Sequence, residues 1–326
     1  MLNRKKTIDF VLARDMDGLI EYADKNVELA PICIPSYKFR KGAKLVRDNP
    51  FSSKVYVFVY EDDYEASGYD KYDGYKGDME IVKISKEDFE RAGLVWRGLS
   101  PKRIYIQRYM RKLGIGKFFM LDDDINTRIA YSYQQRDNAC KSCKMKNSTL
   151  EVALKIAQLV GEEHPEYKQI GFPFNQLKSQ FFSFETDIVD QAVSQVMYFN
   201  EMPEGIEFVN RLQISEDYEF FFECKRHGVK CGVVPYITVF YGFGNTTCNN
   251  EVLPLHDYVL NPGYIDLKVT CHGLLRSTIS YIRANRDHPK KVDEKLMELC
   301  KAEDVEAVKA YVPHLKSRRK MPQKKK

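Results

Sequence analysis

The sequence predicts an α/β protein with a mixed, mainly parallel central sheet flanked by helices. Apolar runs with little polar alternation recur at residues 30–37, 54–60, 79–84 and 118–121, as strands buried on both faces require. Helical spacing between the third and fourth runs, at 100–113, completes the strand, connection, strand, helix, strand order of a covered parallel sheet. The last run, Phe118-Phe119-Met120-Leu121, ends abruptly in Asp122-Asp123-Asp124. That puts a formal charge of −3 at a strand's carboxyl end, where open α/β sheets collect their ligands.

Residues 1–29 read as a helical lead-in, amphipathic from Met16 to Tyr22. Ala30 to Tyr37 is a short apolar strand with Pro35 near its end, and Lys54 to Tyr60 is a second that stops at Glu61-Asp62-Asp63. Glu61 to Gly77, rich in Asp, Tyr and Gly, reads as a long loop near an edge of the fold, and Met79 to Ile84 as a third strand. In the helix at 100–113, Ile104, Tyr105, Tyr109 and Leu113 share one side and basic residues crowd the other. After the fourth strand come a helix from Thr149 to Val160 and short, partly antiparallel strands at 169–174, 181–184 and 195–200. Ser215 caps a further helix that Gly228 ends, and a strand follows at 233–240. Helices are expected around 274–283 and 292–312.

The organisation expected is a lead-in at 1–29, an α/β domain at 30–245, a helical extension at 246–315 and a disordered basic tail at 316–326. With 44% hydrophobic residues among 326, the composition is that of a soluble globular protein. No run approaches the ~20 apolar residues that span a bilayer, and Met1 to Lys6 is not followed by a signal-type apolar core. A cytoplasmic location away from membranes is expected, in the host cytoplasm if the chain is viral. Eight scattered cysteines fit reduced thiols. Cys140 and Cys143 alone have metal-ligand spacing, and they read as free thiols or as half of a structural zinc site. The net charge is +5, yet the last eleven residues alone carry +7, leaving −2 for the rest. Such a tail would hold a polyanion through phosphate contacts, serve as a nuclear address, or simply solubilise the chain.

Three adjacent carboxylates repel one another unless a cation joins them or water solvates them. Hard oxygen donors select magnesium, manganese or calcium; the plainer alternative is a solvated acidic turn. Two other features fall in order around the cluster: Pro35-Ser36-Tyr37 at the end of the first strand, and Glu216-Asp217 at a helix start, Asp217 lying 94 positions after Asp123. Acidic residues at a helix start are also an ordinary response to the macrodipole.

This order resembles the GT-A nucleotide-sugar glycosyltransferases of the family-2 kind, which are Rossmann-like, over roughly residues 30–245. Within that group, Ile34-Pro35-Ser36-Tyr37, the strand ending Leu121-Asp122-Asp123-Asp124-Ile125 and the helix Ser215-Glu216-Asp217-Tyr218-Glu219-Phe220-Phe221 look most like the TET-associated DNA glycosyltransferases of phages. The base J glucosyltransferases are more distant. The resemblance implies a metal-dependent, inverting hexosyl or pentosyl transfer from a UDP-sugar to a hydroxyl, on a hydroxymethylated pyrimidine such as hydroxymethylcytosine in DNA. It implies donor binding by Pro35, Ser36 and Tyr37, with Asp62 or Asp63 accepting from the pyrimidine N–H. Gly98 and either Arg103 or Arg108 would face the diphosphate, the usual A-R-N-x-x-G spelling being absent. Asp122 and Asp123 would reach ribose and sugar, and Asp122 and Asp124 would hold Mn2+ or Mg2+ with His256 or His272 completing the shell. Asp217, with Glu216, would be the catalytic base. Tyr241-Gly242-Phe243-Gly244-Asn245 reads as a glycine-hinged loop able to close over the site or stack on an extruded base.

Other readings compete. The acceptor would be a protein or glycan rather than DNA. A sugar-1-phosphate nucleotidyltransferase would need a glycine-rich loop after the first strand, which Lys38-Phe39-Arg40-Lys41-Gly42 only poorly approximates. A two-metal nuclease or polymerase would need matched acidic partners in space. Outside enzymes stands a non-catalytic nucleic-acid-binding protein with structural carboxylates.

Overall fold

A computed structural model describes residues 6–37, 39, 43–72, 74–94, 96, 98–136, 139–173, 185–208, 216–241, 259–261 and 264–265, with positions 295 and 307. In chain order these form α1 (Thr7–Leu12), α2 (Met16–Asn26), β1 (Ile32–Pro35), α3 (Lys44–Asp48), β2 (Val55–Tyr60), α4 (Glu61–Ala66) and β3 (Met79–Ile84). Next come α5 (Lys86–Arg91), α6 (Leu99–Lys112), β4 (Phe118–Leu121), β5 (Ile125–Arg136), β6 (Ala139–Thr149) and α7 (Leu150–Glu163). They are followed by β7 (Tyr167–Gly171), β8 (Val189–Asp190), β9 (Val196–Phe199), α8 (Glu216–Arg226), β10 (Lys230–Val233), β11 (Ile237–Tyr241), β12 (Val259–Asn261) and β13 (Tyr264–Ile265).

Eight strands make one mixed sheet in the order β3-β2-β1-β4-β9-β7-β10-β8. β1, β2, β3 and β4 pair in parallel, as do β7 and β10, while β9 runs against both β4 and β7 and β8 runs against β10. The sheet is thus mostly parallel, and helices flank it.

The alternation of side chains assigns each apolar run to two layers. Ile32, Ile34, Val55, Val57, Phe119 and Leu121 face one core with residues of α2 and α7. Cys33, Phe58, Phe118 and Met120 face the other, with Ile104, Ile106 and Met110 of α6 and Phe220 of α8. Burying each large side chain stabilises the fold by about 1.5–3 kcal/mol, which is why β1 and β4 are apolar at every position. Helix α2 meets the sheet with Met16, Leu19 and Ala23, one helical stripe, behind an Asp15 cap that accepts from the Gly18 N–H at 2.9 Å.

At the start of α1, Thr7 is clasped by two acidic side chains. Its N–H and hydroxyl reach Glu163 at 2.6–3.0 Å, and the same hydroxyl lies 2.8 Å from Asp187. His164 in turn holds Asp187 at 3.0 Å.

The structure departs from the expectations in three places. Glu61-Asp62-Asp63-Tyr64-Glu65-Ala66 begins a helix rather than a loop, because its acidic first turn suits the positive end of the macrodipole. Residues 125–149 form a long hairpin, β5–β6, in a second sheet ordered β11-β5-β6. Pro235 separates β10 from β11 where one strand was expected. Cys140 and Cys143 both fall within β6. The expected strand at 181–184, the Ser215 cap, the helix at 274–283, the helix at 292–312 apart from positions 295 and 307, and the tail lie outside the described residues. No helix among the described residues is long and apolar enough to cross a membrane.

Candidate functional site

β1 and β4 are parallel neighbours, and the chain leaves β1 towards β2 on its other side. That is a topological switch point, the place where connecting loops part and leave a crevice at the carboxyl ends of the strands. Ser36 and Tyr37 follow β1 there, and Asp122, Asp123 and Asp124 follow β4.

Two networks fill this corner. In the first, the buried Ser36 donates its hydroxyl to Asp123 Oδ2 at 2.8 Å, and the Tyr37 N–H reaches the same oxygen at 3.3 Å. Ser36 Oγ also lies 2.8 Å from the Tyr69 hydroxyl. Serine has one hydroxyl proton and a carboxylate accepts only, so the chain runs Tyr69 to Ser36 to Asp123. Burial raises the Tyr69 phenol above its ordinary value, which keeps it a donor. Lys102, itself buried, donates to the Ser36 carbonyl at 2.6 Å with its ammonium 4.1 Å from the Tyr60 ring centre.

The second network centres on Arg103, only 2% exposed. Its Nη2 pairs with Asp122 Oδ1 at 2.8 Å, and its Nη1 with Glu216 Oε1 at 2.8 Å. Burial pushes the guanidinium pKa down, but the charges of Glu216, Asp122 and Asp217 outweigh it and hold the group above its ordinary value. Asp122 is raised, chiefly by burial, against the opposing pull of Arg103. Glu216 opens α8, whose Phe220 stacks on Phe208 at 4.4 Å between ring centres and fixes the helix against the 206–208 segment. Arg103 is aimed by the start of α6, which Gly98 begins with φ +113°, a backbone state that side chains rarely adopt. The Gly98 carbonyl accepts from the Tyr60 hydroxyl at 2.8 Å.

The predicted residues are therefore not all together. Pro35, Ser36, Tyr37, Asp122, Asp123, Asp124, Gly98, Arg103, Glu216 and Asp217 belong to or border this corner, with Asp124 and Asp217 half-buried. Asp63 is buried in the first turn of α4, and its charge acts on Tyr69, while Asp62 is exposed. Arg108 is committed elsewhere. It makes a two-pronged pair with Glu207 at 2.9 and 2.7 Å and donates to the Ala92 carbonyl, and its bonds hold Glu207 below the usual carboxylate range. His256, His272 and residues 242–245 lie outside the described residues.

Lys102 and Tyr69 escaped the sequence reading. Lys102 was one of many basic residues of α6, and Tyr69 one of many tyrosines in the acidic, glycine-containing segment. That segment packs Tyr69 and Tyr72 on Phe39, with ring centres 4.7 and 5.0 Å apart, rather than lying loose at an edge.

Among the described residues, no three His, Cys, Asp or Glu side chains are grouped to hold a metal ion. No known protein family, curated protein or solved structure matches the chain.

Proposed function

We propose that the protein is a GT-A type glycosyltransferase that moves a sugar from a UDP-sugar to a hydroxyl group, on a hydroxymethylated pyrimidine of DNA, working in a cytoplasm. One observation carries the reading: Asp122 and Glu216, from motifs 94 positions apart, meet on the single buried guanidinium of Arg103 at the switch point. The acidic strand end and the Glu-Asp helix start, which the resemblance made parts of one site, are in one place.

In this reading the nucleoside lies over the ends of β1 and β2, with its pyrimidine N–H towards Asp62 or Asp63. Ser36, Tyr37 and Asp123 shape the floor beneath the ribose, locked by the hydrogen-bond chain from Tyr69. Arg103 is a positioning residue, since its guanidinium is buried between Asp122 and Glu216 and ion-paired with both. Asp122 and Asp124 are hard carboxylates of the kind that would hold Mg2+ or Mn2+ together with the donor diphosphate. Such an ion would supply charge neutralisation to the leaving diphosphate. Asp217 takes the acceptor hydroxyl's proton as that oxygen bonds to the anomeric carbon. The bond to the diphosphate breaks on the opposite face with its electron pair, inverting the centre.

The test is a thermal-shift series with UDP-sugars, with and without manganese, followed by donor hydrolysis. A ligand of the native state raises the melting temperature in a concentration-dependent manner. No shift with any nucleotide sugar sinks the proposal. A second reading is favoured by the engagement of Asp122, Asp123 and Glu216 with protein cations and donors: carboxylates that brace the fold of a nucleic-acid-binding protein. It predicts that Asp122→Ala with Asp124→Ala lowers stability but leaves nucleic-acid binding by the folded protein unchanged and abolishes no transfer activity.

A further inference from the structure

We infer that the β5–β6 hairpin is a docking ribbon for duplex DNA, holding it against the acidic corner at the end of β4. The inference deepens the DNA-acceptor reading and rests on it for its purpose. β5 begins at Ile125, the residue directly after Asp124, so the ribbon's root is the corner itself. The two strands pair from Arg128 with Thr149 out to Arg136 with Ala139. β11 pairs with β5 only from Ile125 to Tyr131, so beyond that point the described ribbon is two strands wide. The whole strands run about 35–40 Å at ~3.3 Å per residue, and the part that is two strands wide, 132–136 against 139–143, about 17 Å. A two-stranded ribbon alone is marginally stable in water, and a partner along its length would order it.

Charge identifies the partner. Residues 125–149 hold five basic residues, Arg128, Arg136, Lys141, Lys144 and Lys146, against Asp137 alone, a net +4. With +7 in the last eleven residues and +5 overall, everything outside hairpin and tail sums to −6. The positive charge is therefore segregated onto an acidic body. From Ser132 to Lys144 there is no Val, Leu, Ile, Met, Phe or Trp, so the outer ribbon lacks the apolar centre of a protein interface. It has instead Tyr133, two glutamines and basic residues, suited to phosphates and base edges. The B-form major groove, about 12 Å wide, admits a two-stranded β-ribbon, whereas the deep, narrow major groove of A-form RNA does not.

The test uses the full chain and a 20-base-pair duplex DNA of arbitrary sequence, about two helical turns, followed by fluorescence anisotropy as salt is raised. Lys141→Gln/Lys144→Gln/Lys146→Gln should weaken binding about tenfold or more near 0.1 M salt and flatten the log–log salt slope by about 2–3, one for each lost phosphate contact. Duplex RNA of the same sequence should bind more weakly than DNA. An unchanged slope overturns the proposal, as does equal affinity for the RNA duplex. So does a loss of binding seen only when Lys324, Lys325 and Lys326 are changed to Gln. If the triple variant does not fold, Lys144→Gln alone is measured, with an expected slope change of about one. UDP-sugar thermal shifts on the same proteins separate the two proposals. A changed salt slope without any donor shift keeps the ribbon and removes the glycosyltransferase; a donor shift with an unchanged slope does the reverse.

Discussion

Asp122, at the end of β4, and Glu216, at the start of α8, are bound to opposite terminal nitrogens of Arg103, each at 2.8 Å. The pairing ties a strand end to a helix start through a side chain that is 2% exposed. It makes the guanidinium the joint of the corner.

Arg103→Met should destabilise the protein by about 3 kcal/mol, because removing one member of a buried ion group leaves like charges facing in a site shielded from water. Urea unfolding measures it. A cost below about 1 kcal/mol would place the arginine with ordinary surface ion pairs.

Ser36→Ala removes the hydroxyl that receives from Tyr69 and gives to Asp123. The expected loss is about 1–3 kcal/mol, the usual cost of breaking a buried polar chain at its centre. Tyr69→Phe should cost less, about 0.5–1.5 kcal/mol. The two costs should not add in the double variant, since both act on one chain; full additivity in thermal or urea unfolding would contradict the chain.

The clasp on Thr7 predicts a pH dependence of known sign. One hydroxyl proton faces both Glu163 and Asp187, with His164 on the far side of Asp187. Burial, with the nearby Asp187 charge, raises the Glu163 carboxyl above its ordinary 4.5. A raised folded-state pKa means stability fully present below 4.5 and lost as pH rises through the higher value. Glu163→Gln, which mimics the protonated acid, should abolish that loss. Stability curves of the two proteins that stay parallel from acid to neutral pH would rule the mechanism out.

If the proposed transfer is right, Asp217→Asn keeps the UDP-sugar thermal shift and lowers transfer by about 10²–10⁴-fold, the usual contribution of a general base. Undiminished transfer removes Asp217 from that role.

Much of this was legible because β1, β2 and β4 are buried on both faces, so their runs of large apolar residues stand apart from the polar chain around them. The hairpin was not, since the stretch from Ser132 to Lys144 has no large aliphatic residue and its polar and basic residues read as loop. Choosing between Arg103 and Arg108 was beyond local spacing. Both lie on α6, and only the tertiary placement of Glu207 and Glu216 separates them. Asp122, Asp123 and Asp217 stood out by their order along the chain, but Lys102 and Tyr69 acquire meaning only through Ser36, from distant segments.

β4 takes its neighbours from far along the chain, Ile32 and Cys33 on one side and Val196 to Phe199 on the other. During synthesis, the edge of β4 that β9 will cover stays open for some 75 residues of further translation. Pairings of such long sequence separation form slowly and leave strand edges open to other chains. Arg103 and Asp122 emerge early, yet Glu216 joins them only when α8 has been made. The acidic corner is thus completed only after β9 and α8 have been made, although two of its three partners are present long before.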